Sequence, residues 1–261
     1  MIHLIFAIVG MIAGLLSGLL GISGGIVLVP CLFYIFQNMG FEKESLMLMA
    51  TGTSLASTVF GTLASMSTQH LKKNIQWKWI LRLLPGILVG SFVGGWFAED
   101  IREFFLKELF GFFAVAIGLY FFFPQKTILE ENSFPRGWVL AGVGFTVSMV
   151  ANMLGIGGGI FMAPWLMYLR IPHKKAVACA SATGFFITLL GAISYSYLGV
   201  GEVHGADTLG YIYLPAFYIL SFTTVVGAPL GVRLTHILKV AGVRKIFGFA
   251  LILTGISMLF R

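Results

Sequence analysis

Charge is the scarcest commodity in this sequence. Asp, Glu, Lys and Arg make up 10% of its 261 residues, while 58% are hydrophobic; a soluble globular domain carries about 25% charged residues. A water-facing surface cannot be assembled from so few charges. A soluble enzyme, a nucleic-acid-binding domain and a disordered tail are therefore excluded, and the solvent for most of the chain is lipid. Acids are rarer still where they would count most. All ten (Glu42, Glu44, Glu99, Asp100, Glu103, Glu108, Glu130, Glu131, Glu202 and Asp207) fall near the ends of apolar runs or between them. A cation or metal carrier would want buried Asp, Glu, His or Met ligands facing one another, so that reading ranks low. Cysteine is almost absent. Cys31 and Cys179 stand alone in apolar stretches with no metal-ligand spacing, and read as small packing residues. Catalytic patterns are missing too: no HExxH, no GKS or GKT, and no plausible Ser-His-Asp order. The expectation is no enzyme, no cofactor and no metal centre, with any pumping driven by a gradient or a separate subunit. The first twenty residues lack a basic start and a small-x-small cleavage site, which predicts a retained span rather than a signal peptide.

What is present is a series of apolar segments. Hydropathy places them near 3–20, 25–38, 45–68, 77–97 and 105–123, then near 138–154, 158–169, 176–198, 210–232 and 243–260. Two of them, 25–38 and 158–169, are short for a full crossing, which leaves two alternatives for each, a crossing or a re-entrant half-helix. One polar stretch, Pro124 to Arg136, divides the chain almost in half. The expected organisation is a first transmembrane repeat over 1–124, a linker over 125–136 and a second repeat over 137–261.

The halves resemble each other. LGISGGIVLVPCLFY at 20–34 matches LGIGGGIFMAPWLMY at 154–168 in nine of fifteen positions. Ala50-Thr51-Gly52-Thr53 answers Ala180-Ser181-Ala182-Thr183, and Phe110-Gly111-Phe112 answers Phe247-Gly248-Phe249. Equivalent connections carry opposite charge: Glu42 and Glu44 against Arg170, Lys174 and Lys175; Lys72, Lys73 and Lys78 against Glu202 and Asp207. Lys and Arg stay on the cytoplasmic side, so the two halves are expected to be inserted in opposite senses, with an odd number of segments each. Thirteen basic residues then face the cytoplasm and four face out (Lys43, Arg102, Lys107 and Arg261), which puts both termini outside. The fold class expected is an all-α polytopic membrane protein of two inverted-topology repeats. Each has about five membrane segments and a broken or re-entrant helix at a Gly-rich motif.

Those motifs are where chemistry is expected. Gly21-Ile22-Ser23-Gly24-Gly25 and Gly155-Ile156-Gly157-Gly158-Gly159 interrupt apolar helices, and each is followed by a helix start. Such a start aims unpaired N–H groups and a positive dipole end at whatever lies in front. In an inverted repeat the two breaks can share one pocket near the midplane, and such a pocket favours an anion. Uncharged polar residues accompany them: Ser23, Thr51, Thr53, Ser54 and Thr58 in the first half, Asn152, Ser181, Thr183 and Thr188 in the second. Hydroxyls, an amide and backbone N–H groups can hold a small oxyanion without a buried counter-charge. The competing explanation is close helix packing by small residues. It is preferred for Gly61, Gly90, Gly94, Gly111, Gly118, Gly191, Gly227, Gly231, Gly248 and Gly255; a repeated motif in equivalent places favours the substrate role for the two breaks. His70 ends a polar stretch and is the one histidine considered for gating or proton handling. A scaffold subunit is the remaining alternative, though broken helices in inverted repeats are hard to explain on that view.

At Gly21–Pro30, Gly155–Pro164, Ala50–Ser54 and Ala180–Thr183 the chain resembles the TauE/SafE, or sulfite exporter-like, membrane transporters, and the likeness runs through both halves. The resemblance implies secondary transport of small anions such as sulfite or sulfonates across the bacterial inner membrane. The substrate-binding set would be Gly21, Ser23, Gly24, Gly25, Thr51, Thr53, Ser54, Asn152, Gly155, Gly157, Gly158, Gly159, Ser181 and Thr183. The expected partners are the anion, the lipid bilayer and a coupling proton or sodium ion, with no nucleic acid. The first motif carries Ser23 where the second has Gly157.

Overall fold

Helices follow the apolar runs. The computed structural model describes residues 2–20, 23–123, 136–201, 207–234 and 240–260. They form α1 (Ile2–Leu20), α2 (Gly25–Met39), α3 (Leu46–Leu71), α4 (Trp77–Asp100), α5 (Glu103–Tyr120), α6 (Gly137–Met153), α7 (Gly159–Tyr168), α8 (His173–Leu198), α9 (Leu214–Leu234) and α10 (Val240–Phe260). One hairpin, β1 (Thr208–Leu209) with β2 (Ile212–Tyr213), precedes α9. The linker 125–136 lies outside the described residues except for Arg136.

The outer surface is apolar, as a lipid solvent demands. Ile8, Phe92, Trp96, Phe112, Trp138, Phe222 and Phe249 are all exposed, and in water an apolar surface so extensive would drive association. Six of the described helices, α1, α3, α4, α8, α9 and α10, are long and apolar enough to cross a membrane. Eight long segments were expected. The shortfall has a local cause: α5 carries Glu103, Lys107 and Glu108 within its first two turns, and α6 has 17 residues, about 26 Å of helix. The two short segments are short as expected. At 15 and 10 residues, α2 and α7 are about 22 and 15 Å long, less than the roughly 30 Å of a hydrocarbon core.

Packing is organised by small residues. Along α4 a methyl group at Gly86, Gly90 or Gly94 would strike the carbonyl oxygen of Ala141, Phe145 or Met149 in turn, so α4 and α6 run side by side in the same direction. Gly10 and Gly14 meet Thr223 and Thr224 while Gly231 meets Leu15, so α1 and α9 are also parallel. Two further pairs oppose each other. Gly111 packs on Gly255 and Gly118 on Gly248, so α5 and α10 are antiparallel. Gly52 lies against Tyr195 while Thr62 bonds Thr188, so α3 and α8 are antiparallel. The packing role expected for these glycines holds, with Gly61 as the exception: nothing lies within 4 Å of the place its methyl would take. It borders a cavity instead.

At the centre is α3, buried on all sides from Leu46 to Thr58, the mark of a helix surrounded by protein. Cys179 is buried and accepts the Gln76 N–H, Cys31 is half-buried, and both are free thiols.

Glu103 sits ahead of the apolar run of α5, outside its membrane segment, at the end of the molecule where α3 begins. Burial pushes its carboxyl up to about 7; nearby Glu44 pushes the same way, against the Leu46 and Met47 N–H groups and Lys107. A folded-state pKa above the usual carboxylate value means the native state holds a proton that the unfolded chain releases. The contribution of Glu103 to stability is therefore expected to be fully present below pH about 4.5 and to be lost as pH rises through about 7. Thermal unfolding in detergent between pH 4 and 8 checks this: Glu103→Gln should flatten the profile, and an unchanged profile would remove the role.

Candidate functional site

The two Gly-rich breaks meet. Gly24 lies against Ala13, midway along α1, and α2 starts there. A methyl on Gly25 would collide with the Gly155 carbonyl oxygen and lie 3.1 Å from Ser54 Oγ. The break between α6 and α7 is shaped by two left-handed residues, Gly155 (φ 68°) and Gly158 (φ 62°), a conformation that costs glycine nothing and other residues strain. The chain thereby turns back so that α7 begins beside the start of α2.

Two side chains join them. Ser23 Oγ accepts the Gly157 N–H at 3.2 Å and the Gly25 N–H at 3.4 Å, and Ser23 is 6% exposed. On the opposite side Ser54 donates to the Gly155 carbonyl at 3.1 Å and lies 3.4 Å from that of Gly25. A cavity of about 20 Å3 opens from this junction, lined by Ser17, Ser23, Thr62, Ser65, Gly157, Gly159, Ala180, Ser181 and Gly184. A second, of about 10 Å3, adjoins it through Ser17 and Thr62 and is lined further by Gly24, Thr58, Gly61 and Thr224. The lining is built of Ser, Thr, Gly and Ala, without an ionisable side chain. About 20 Å3 has room for a water molecule, not for a four-atom oxyanion.

Not every expected residue comes to this junction. Ser23, Gly24, Gly25, Ser54, Gly155, Gly157, Gly159 and Ser181 do. Gly21 lies outside the described residues. The Gly158 and Gly159 N–H groups are drawn onto the Ile156 and Gly157 carbonyls, each at 2.6 Å, so the donors that reach Ser23 are those of Gly25 and Gly157. Thr51 packs on Gly155, fully buried, with no partner for its hydroxyl among the described residues. Thr183 bonds back to the Cys179 and Ala180 carbonyls of its own helix. Thr53 serves the hairpin instead, and Asn152 bonds α8 and α4. Thr53 Oγ1 accepts the Tyr213 N–H at 3.0 Å, and the Asn152 carbonyl accepts the Tyr195 hydroxyl at 3.0 Å. The Tyr195 carbonyl in turn accepts the Tyr211 N–H at 3.1 Å. The Asn152 amide donates to the Ser91 carbonyl at 3.3 Å. His70 is exposed and accepts the Trp77 indole N–H at 3.0 Å, at the far end of α3 from Ser54.

Among the hydroxyl-bearing lining residues, Ser17, Thr62 and Thr224 escaped the sequence reading, and Ser65 entered it only within the polar stretch that His70 ends. Ser17 belongs to no motif. Thr62 and Ser65 sit one and two turns past Thr58 on the same face of α3, which is the periodicity that marks them.

The profile of the family described as sulfite exporter TauE/SafE matches residues 6–258. A probable membrane transporter protein of Haemophilus influenzae is 31% identical over 258 residues, covering 98% of this chain and 97% of its own. A probable membrane transporter protein of Methanocaldococcus jannaschii is 28% identical, covering 97% and 93%. The Bacillus subtilis protein YunE, also called a probable membrane transporter protein, is 27% identical over 76% and 80%. No solved structure matches this chain. The match from end to end makes the chain a membrane transporter, not an enzyme, and a member of the TauE/SafE sulfite exporter family.

Proposed function

We propose that this transporter carries small anions (sulfite, sulfonates or related organic anions) by alternating access between two oppositely inserted halves, 1–124 and 137–261. The meeting of the α2 start and the α6–α7 break on one serine oxygen carries the reading. Each helix start is equivalent to roughly +0.5 charge. Two facing starts thus supply about one positive charge in a place that has no basic side chain, which suits a single oxyanion. Hydroxyls from Ser17, Thr62, Ser65 and Ser181 line the approach.

The helix directions support inversion. Copies inserted in the same sense would set equivalent helices parallel across the axis relating them. Here α3 and α8, and likewise α5 and α10, are equivalent and antiparallel. On this reading α2 and α7 are re-entrant half-helices entering from opposite sides, and both termini face outward from the inner membrane. The cytoplasmic face is the one bearing Lys72, Lys73, Lys174 and Lys175. The cavity is too small for the substrate, so the halves must part to admit it, and that parting is the access step. No carboxylate lies mid-span, so a coupling proton would travel on the substrate, or sodium would bind the carbonyls and hydroxyls of the breaks.

Uptake of labelled sulfite, methanesulfonate and acetate into proteoliposomes tests this. Saturable movement of at least one is expected. Movement of metal ions alone would replace anion transport with cation transport, and no movement of either would leave the scaffold reading.

A further inference from the structure

Ser23 and Gly157 are equivalent residues of the two motifs, yet they have different jobs. The first contributes a hydroxyl that collects an N–H from each break. The second has no side chain, and could not have one here: a methyl on Gly157 would stand 2.5 Å from Ser23 Oγ and 2.6 Å from Thr188 Cγ2. The space between the half-helices admits one side-chain oxygen, supplied from one half only. That oxygen occupies the position in which an anion would collect the same donors.

We propose that Ser23 is a built-in stand-in for the transported anion, an affinity-setting residue that holds the site's amides while the carrier is empty. The inference rests on the anion reading above and goes beyond it. A carrier that binds its cargo through backbone N–H groups faces a difficulty on the return journey. With the anion gone, those donors are left buried and unsatisfied, at a cost of about 1–3 kcal/mol each. The Ser23 hydroxyl satisfies them and lets the empty carrier reorient. The incoming anion must then displace the hydroxyl, so the same residue weakens apparent affinity, as a competing conformation does. Ser23 thus exchanges affinity for net turnover.

Sulfite flux through the full-length protein in liposomes reads this directly, in two modes. Net efflux requires the empty carrier to return; exchange of internal for external sulfite does not. Ser23→Ala is expected to lower the sulfite KM about tenfold, and to slow net efflux about tenfold more than exchange, because each donor pair loses its substitute acceptor. Ser23→Gly, which copies the second motif, should behave alike and guards against a folding fault in the alanine variant. Sulfite-induced thermal stabilisation of the purified variants should appear at correspondingly lower concentration. If Ser23 instead ligates the anion, KM rises and both fluxes fall together. If Ser23 is merely structural, both fluxes fall with stability and their ratio stays that of the wild type. Either result overturns the proposal while leaving anion transport standing. Absence of sulfite, methanesulfonate and acetate flux in the wild-type protein would overturn both.

Discussion

Gly25→Ala is expected to reduce transport by about a hundredfold, as ångström-scale misplacement of binding groups does elsewhere, while leaving the helix content intact. The methyl would overlap the Gly155 carbonyl oxygen and lie 3.1 Å from Ser54 Oγ and 3.3 Å from the Ile156 Cα. A serine side chain can turn aside; the backbone of the α6–α7 break cannot. Relief comes only by moving the start of α2 away from Gly155, and that movement carries Ser23 off the Gly157 N–H, now at 3.2 Å. On the proposed anion reading, the starts of α2 and α7 would then face separate spaces, and neither would supply more than about half a charge. Circular dichroism and uptake measured on the same preparation check the claim. Wild-type uptake by a folded Gly25→Ala protein would show that the contact between the breaks is not used.

Gly86→Ala should be the most damaging single methyl for stability. Its Cβ would land on the Ala141 carbonyl oxygen, with the Ala141 carbonyl carbon and the Phe145 nitrogen each 2.7 Å away. All three are backbone atoms of α6, so α4 and α6 must separate along the whole seam that Gly86, Gly90 and Gly94 share. In lipid no hydrophobic force draws helices together, and close backbone packing contributes most of the association. A loss of about 3 kcal/mol is expected, from strain and forfeited contacts together, and a fall in the unfolding temperature of about 6–12 °C. Gly142→Ala is the internal control. It lies on α6, exposed, with nothing within 4 Å of the added methyl, and should change stability by no more than about 0.5 kcal/mol. Equal damage from both variants would mean that the seam is not what holds this pair together.

Much of the fold is legible in the sequence because lipid imposes a simple rule. Every backbone polar group inside the bilayer must be satisfied by the protein itself, and a continuous helix does so locally, so apolar runs become helices and their ends follow hydropathy. The segment 25–38 is observed as Gly25–Met39 and 158–169 as Gly159–Tyr168. The end of α2 is a glycine stop: Gly40 takes φ 83° and its N–H returns to the Gln37 carbonyl, while Phe41 returns to Phe36. The hairpin at 208–213 was hidden inside a segment drawn as 210–232. Its two-residue loop starts at Gly210, φ 56°, the kind of residue that a primed turn needs. Hydropathy does not see that signal, since Leu209, Tyr211 and Ile212 read as more of the same span.

The site divides along the same line. Local sequence specifies where backbone can leave a helix, so the glycine motifs and their repetition mark both breaks. Which hydroxyls face the junction is a matter of helix rotation and neighbour, and hydropathy carries neither. Thr53 and Ser54 are adjacent, but one bonds the hairpin and the other bonds the break, because successive residues on a helix point about 100° apart.

From sequence alone come the lipid solvent, the helical class, the duplication, and glycine breaks at two equivalent places. Only the tertiary arrangement decided that the breaks touch, that Ser23 rather than Gly157 fills the space between them, that Thr53 is engaged by the hairpin, and that Asn152 is engaged by Tyr195 and Ser91. The reason is physical. Solvent and backbone satisfaction act on each segment separately and leave their mark in composition and periodicity. Contacts between half-helices depend on distances of a few tenths of an ångström set by every helix packed behind them.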